Sequence, residues 1–188
     1  MKDQITIQSI ALFGEKGYSE TSVQDIVNAL GVTKGTFYYY FRSKQELLMD
    51  IHLTFINQIL EREKKILKDQ EKDCKTKVAE IVRMLVQNIE KQRSAALIYF
   101  REQHNLDSEQ VEAVLKRQNE FRSILQKLIE TGMETKEFRS DLRPDMVTFG
   151  ILGICNWSYF WFDPDGSVPD EELAVIYSEM ILNGIDTK

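Results

Sequence analysis

Along most of the chain, Leu, Ile, Met and Ala are interleaved with Glu, Lys and Gln at the three- and four-residue spacing of amphipathic helices. Ile5, Ile7, Ile10, Leu12 and Phe13 predict a first helix over 3–16, stopped by Gly17. Thr21 or Ser22 caps a short second helix that turns Val23, Ile26, Val27 and Leu30 inward and ends at Gly31. "GVT" then makes a tight turn into a third helix, opening at Thr33 and closing at "FRS". Ser43, with Glu46 three positions on, forms a capping box for a long fourth helix reaching about residue 68. Beyond the charged connector "KDQEKDCK", helices are expected at 76–91, 95–103, 108–135, 144–162 and 169–185. Breaks fall at Asn105-Leu106-Asp107, between 132 and 140, and in the loop "DPDGSVPDEE"; Pro144 sits in a favoured first-turn position.

This pattern predicts an all-α protein. Only 3 prolines and 9 glycines occur in 188 residues, and 43% hydrophobic content is enough for a sizeable core. Three short helices within about 45 residues, two of them joined by a glycine turn, have helix-turn-helix geometry. The third helix is then the one that enters a DNA major groove.

The net charge of −6 argues against indiscriminate nucleic-acid binding. Its distribution changes the picture. Residues 1–44 hold five basic and four acidic side chains, while the remainder holds 19 basic and 26 acidic, so a near-neutral head precedes an acidic body. Cys74 and Cys155 lack metal-type spacing and are too few for a disulfide framework. With no signal peptide and no apolar run of about 20 residues, the expectation is a soluble cytoplasmic protein without membrane association. His52 and His104 have no second ligand at helical metal spacing. Pairing Cys155 or Ser158 with His104 finds no motif such as G-x-S-x-G in support, so neither enzyme activity nor a cofactor is expected.

The stretch "GVTKGTFYYYFRSK" is aromatic and basic with no acidic residue. Phe37 and Phe41 share a face and are expected in the core with Val32, while Lys34, Tyr38 and Arg42 line another side beside Gly35 and Tyr39. Tyrosine hydroxyls reach phosphates, Gly35 lets the backbone approach a duplex, and Ser43 and Lys44 start a helix whose free amides favour an anion. A well-packed amphipathic corner is the other reading of the same residues.

Residues 10–48, "IALFGEKGYSETSVQDIVNALGVTKGTFYYYFRSKQELL", resemble the N-terminal domain of TetR-family transcriptional regulators almost position for position, with Gln45 where glutamate is commoner. The resemblance implies an all-helical homodimer. A three-helix helix-turn-helix DNA-binding domain (1–48) would be joined by a long helix to a C-terminal ligand-binding and dimerisation domain (49–188). By matching position it assigns DNA contacts to Thr21, Ser22, Thr33, Lys34, Gly35, Thr36, Tyr38, Tyr39 and Lys44. Lys34 and Thr36 are the candidates for base contact on a palindromic operator.

The segment "FGILGICNWSYFWFDPDGSVPDEELAVIYSEMILNGI", with "REQ" at 101–103 and "KEFR" at 136–139, is similar to a TetR subgroup whose effectors are acyl-CoA thioesters. That subgroup has glycine where Lys136 stands. Candidate effector contacts are Tyr99, Phe100, Gln103, Phe121, Leu125, Asn156 and Trp157, with Arg101, Arg122, Arg139 and Arg143 available to a coenzyme A headgroup. The function implied is a repressor released by a small hydrophobic effector; a drug-responsive repressor of an efflux system is the rival, and an enzyme on the same fold the remote one. The dimer would close through the last two helices at Val147, Ile151, Ile154, Ser158 and Trp161, and at Leu173, Ile176 and Met180.

Overall fold

In the computed structural model, which describes residues 1–186, eight α-helices and one short 3-10 turn follow the chain. The final two residues of the expected C-terminal domain, 187–188, lie outside the described residues. No strand is present among the described residues; a single bridge pairs Phe138 with Asp186.

The helices gather into two compact units, each drawn from two stretches of chain. The first comprises Met1–Asn57 and Ser94–Leu115. It holds α1 (Lys2–Lys16), α2 (Val23–Leu30), α3 (Lys34–Tyr40) and the start of α4 (Lys44–Lys68). The end of α5 (Cys74–Arg101), the 3-10 turn Gln103–Asn105 and the start of α6 (Ser108–Glu134) complete it. Ser22 caps α2 in a reciprocal box: its hydroxyl accepts the Asp25 N–H while the Asp25 carboxylate accepts the Ser22 N–H at 2.8 Å. Those bonds hold the Asp25 carboxyl below its ordinary range. Gly31 ends α2 in the left-handed conformation (φ 65°), where a Cβ would be strained, and three residues later α3 has begun. Ile5, Phe13, Ile26, Phe37, Phe41, Leu47 and Leu48 are all buried, so the helix-turn-helix has a core of its own.

The second unit comprises Gln58–Arg93 and Lys116–Lys188, where α7 (Pro144–Trp161) and α8 (Asp170–Ile185) join the remaining parts of α4, α5 and α6. Two helices were expected over 76–91 and 95–103. The break between them is present: α5 is two helical stretches meeting across a kink at Gln92, whose backbone is non-helical (φ −140°, ψ 25°). The break expected between 132 and 140 falls after Glu134, where α6 ends; within its last turn the Phe138 ring lies so close to Gly132 that a Cβ there would sit 2.2 Å from it. Past α6 the chain reverses at Lys136, a non-glycine residue in the left-handed region (φ 64°), and the Glu137 and Phe138 amides both donate to the Gly132 carbonyl. Glu137 then caps α5, its carboxylate accepting the Cys74 and Lys75 amides.

Candidate nucleic-acid interface

Helix α3 is short and is held from beneath. Phe37 and Phe41 are buried, and the intervening residues turn outward: Tyr38 is 51% exposed and Tyr39 81%. Thr33 caps α3, accepting the Thr36 amide at 3.3 Å, and stands exposed with Lys34 and Gly35 at the head of the helix. Thr36 is half-buried beside them. Edge-on ring contacts of Tyr38 with Phe37 (5.4 Å) and of Tyr39 with Tyr40 (4.9 Å) steady both exposed rings without covering them. Ser22 is exposed at the first turn of α2. Two hydroxyphenyl groups, one ammonium, two threonine hydroxyls and a bare glycine backbone therefore share one accessible helix.

Thr21 and Lys44 stand apart from this group. Thr21 is fully buried, and its hydroxyl donates to the Gly17 carbonyl at 2.8 Å. The Lys44 ammonium donates to the Tyr18 and Thr21 carbonyls, each at 2.7 Å, and lies 4.2 Å above the Tyr18 ring. Both side chains, expected to meet phosphates, are committed to internal carbonyls: Lys44 ties the start of α4 to the turn between α1 and α2, and Thr21 ties that turn to the end of α1. Desolvation lowers the Lys44 pKa, with Glu20 and Glu102 acting in the opposite sense. The helix start at Ser43 does form as expected: its hydroxyl accepts the Glu46 amide, and the Glu46 carboxylate reaches back to the Arg42 N–H rather than to that of Ser43.

The expected effector residues divide between the units. In the first, Tyr99 is buried against Phe55 (4.8 Å) and His52 (5.4 Å), with Phe100 and Gln103 half-buried. In the second, Phe121 and Leu125 are buried and Asn156 is half-buried, while Trp157 is 64% exposed and packs on Phe160 at 5.3 Å. Trp157 therefore faces outward from α7 in the single chain. Of the arginines, Arg143 pairs with Asp145, Arg139 lies 3.5 Å from Asp141, and Arg122 lies over the Phe149 ring. A groove of about 370 Å³ opens between α4, α5 and α6, lined by Leu67, Cys74, Lys77, Ile124, Lys127, Leu128 and Thr131. The interior of this unit also holds polar groups that the helical period did not flag. Arg62 donates to Asn88, Asn88 donates to the Tyr159 hydroxyl, and Glu63 is fully buried.

Residues 5–51 match the family model described as bacterial regulatory proteins, tetR family, and residues 71–185 match that of the tetracyclin repressor-like C-terminal domain. The chain belongs to the TetR family. Within it, the transcriptional repressor KstR2 of Rhodococcus jostii is 28% identical over 176 residues, covering 93% of this chain and 85% of that protein. The crystal structure of the TetR-family regulator PfmR from Thermus thermophilus matches with a TM-score of 0.89 at 28% identity, over 97% of this chain and 99% of that one. AibR, solved in complex with isovaleryl coenzyme A and operator DNA, shares the fold with a TM-score of 0.84 at 23% identity, over 95% and 96% of the two chains. These relatives are regulators of transcription, not enzymes.

The last two helices of this TetR-family chain carry an outward apolar face, but not entirely the expected one. Ile151, Ser158 and Leu173 lie in the chain's own core and Val147 and Ile154 are half-buried, while Trp161, Ile176 and Met180 are exposed. A residue advances about 100° around a helix, so Ile151, Cys155 and Ser158 fall on the inner face and Phe149, Trp157 and Phe160 on the opposite one. Met146, Phe149, Trp157, Phe160 and Trp161 of α7 stand exposed, as do Val175, Ile176 and Met180 of α8. Cys155 is fully enclosed, and burial pushes its thiol up to about 12, which leaves it inert at neutral pH.

Proposed function

We propose that the chain is a homodimeric repressor that binds a palindromic operator and leaves it when a hydrophobic effector, an acyl thioester of coenzyme A, occupies the body. The observation that carries the DNA-binding half is the accessible α3 surface held on Phe37 and Phe41. Ser22, Thr33, Lys34, Gly35, Thr36, Tyr38 and Tyr39 form the contact set. Lys34 and Thr36 read base edges, with guanine the partner for Lys34, and the tyrosine hydroxyls and Ser22 hold phosphates. Thr21 and Lys44 belong to the interface through the turn they brace. Residues 1–48 do the reading, and residues 49–188 bind ligand and dimerise.

The exposed apolar residues on α7 and α8 support dimerisation, since eight large apolar side chains stand exposed on these two helices. A two-fold dimer presents two copies of α3 to half-sites one or more helical turns apart. Relatedness to KstR2 supports repression, and the fold shared with AibR, crystallised with isovaleryl coenzyme A, supports a thioester effector. Release is a population shift: the effector must prefer the DNA-free form. An operator is the cytoplasmic partner this reading requires.

The test has two steps. Selection from random duplexes, followed by anisotropy titration across a salt series, is expected to return a palindrome bound with a steep salt dependence. Acyl-CoAs of increasing chain length are then added to the complex, and release is expected to strengthen with length, because each buried methylene contributes about 0.8 kcal/mol. Indifference to every acyl-CoA excludes the thioester and leaves a repressor of another effector class.

A further inference from the structure

Glu63 is the most unusual side chain in the second unit. It is fully buried, and neither carboxylate oxygen has a hydrogen-bond partner. Its direction follows from its neighbours. Ile59 and Leu60, four and three residues earlier on α4, are buried, which puts Glu63 on the same inward face. Arg62, about 100° to one side of it, reaches across to Asn88 of α5, and Lys64, about 100° to the other, reaches Glu120 of α6 at 2.8 Å. The Glu63 carboxyl therefore enters the space between α5 and α6. Leu67, one turn farther along the same face, lines the apolar groove that Ile124 and Leu128 of α6 also line. Along α4 the rise from Glu63 to Leu67, which lines that groove, is about 6 Å.

A buried carboxyl with two vacant oxygens is costly, and apolar residues of similar size would fill the space at less cost. We propose that Glu63 is the polar anchor of the effector site, its carboxyl hydrogen-bonding a carbonyl oxygen carried on an otherwise apolar ligand. This rests on the reading of the body as an effector-binding unit. Burial pushes the acid up to about 9, so at neutral pH it carries its proton and donates an O–H. A thioester carbonyl accepts such a bond and presents no charge to the aliphatic surroundings. A cation would have to surrender its hydration beside Lys64. Lys77 and Lys127, which line the groove, match the anionic end of a coenzyme A thioester.

The test uses the full chain and two pairs of probes. The first pair is dodecanoyl-CoA and its thioether S-dodecyl-CoA, identical except that a methylene replaces the carbonyl. The second pair is 2-octanone and 2-methyl-1-octene, which poses the same choice without coenzyme A. Calorimetry on the wild-type chain is expected to show the carbonyl member of a pair bound about tenfold or more tightly than its partner. Glu63→Leu is expected to reduce that ratio to about one. Glu63→Gln, which keeps a donor and cannot ionise, is expected to keep most of it. Equal binding within the pairs, or a preference that survives in Glu63→Leu, overturns the proposal. So does loss of the preference in Glu63→Gln, whose amide N–H is an equivalent donor to a carbonyl oxygen. If neither coenzyme A derivative binds, the thioester reading fails by itself and the ketone pair decides the role of Glu63. No discrimination there overturns it too.

Discussion

Replacing Glu63 by glutamine keeps its size and hydrogen-bonding capacity and removes only its ionisation. In the folded chain the acid is pushed from 4.5 up to about 9, chiefly by desolvation; Lys64 acts against the rise and Glu120 adds to it. Because the folded pKa lies above the unfolded one, the folded state binds the proton more tightly. The wild type therefore has no penalty below about pH 4.5 and loses stability as pH rises from there towards about 9. One pKa unit corresponds to about 1.4 kcal/mol, so keeping Glu63 protonated at pH 7 costs about 3 kcal/mol relative to glutamine. No discount for solvent screening applies, since the side chain is fully buried. Urea denaturation of both proteins at one fixed protein concentration, at about pH 5, 6.5 and 8, provides the measurement. Lys64 and Glu120 are present in both, so their own titrations largely cancel. The advantage of Glu63→Gln is expected to grow by about 1.4 kcal/mol per pH unit over this range. Stabilities that stay parallel with pH would refute the claim that Glu63 is a buried neutral acid.

Further outcomes are expected for five substitutions. Lys136→Gly should stabilise the chain by about 1 kcal/mol in thermal or urea unfolding, because Lys136 sits at a left-handed φ of 64° where glycine has no steric cost; an unchanged midpoint would show that the reversal after α6 stores no strain. Gly132→Ala should destabilise it by about 3 kcal/mol, since the new Cβ would occupy the place of the Phe138 ring. Met180→Asp, at an exposed position on α8, should leave the circular dichroism intact while light scattering reports a monomer; a persistent dimer would move the interface elsewhere. Lys34→Ala should relax preference at one base pair by about 1–3 kcal/mol, whereas Tyr38→Phe should weaken binding to all duplexes alike, both read by anisotropy.

The helix-turn-helix was legible because its signals are local. Ser22 with Asp25, Gly31 and Thr33 each fix a helix end through their own backbone or the next turn, and each does so in the structure. Ser43 and Glu46 behave similarly. What local chemistry does not encode was missed. In "LEREKK", Glu63 is indistinguishable from its solvated neighbours, and only the packing of three helices makes it different. Lys44 read as a basic residue at a helix start, and its two carbonyl partners, 26 and 23 residues earlier in the chain, were invisible to spacing. On α7, aromatic and aliphatic residues occupy both faces, so periodicity alone did not separate Ile151 from Phe149. The glycine expected at Lys136 is explained by backbone conformation, so its absence bears on local strain and says nothing about the effector.

The first unit also sets a limit on how this protein can be recombined. Tyr99 packs on both His52 and Phe55, the Gln45 amide donates to the Asn105 carbonyl, and Leu106 and Val114 are buried. A fragment cut after residue 57 would leave those aromatic and aliphatic contacts unmade. Operator preference is therefore not a cassette that can be grafted by exchanging an N-terminus alone; a working chimera would need residues 94–115 to travel with it, or be redesigned against the new head.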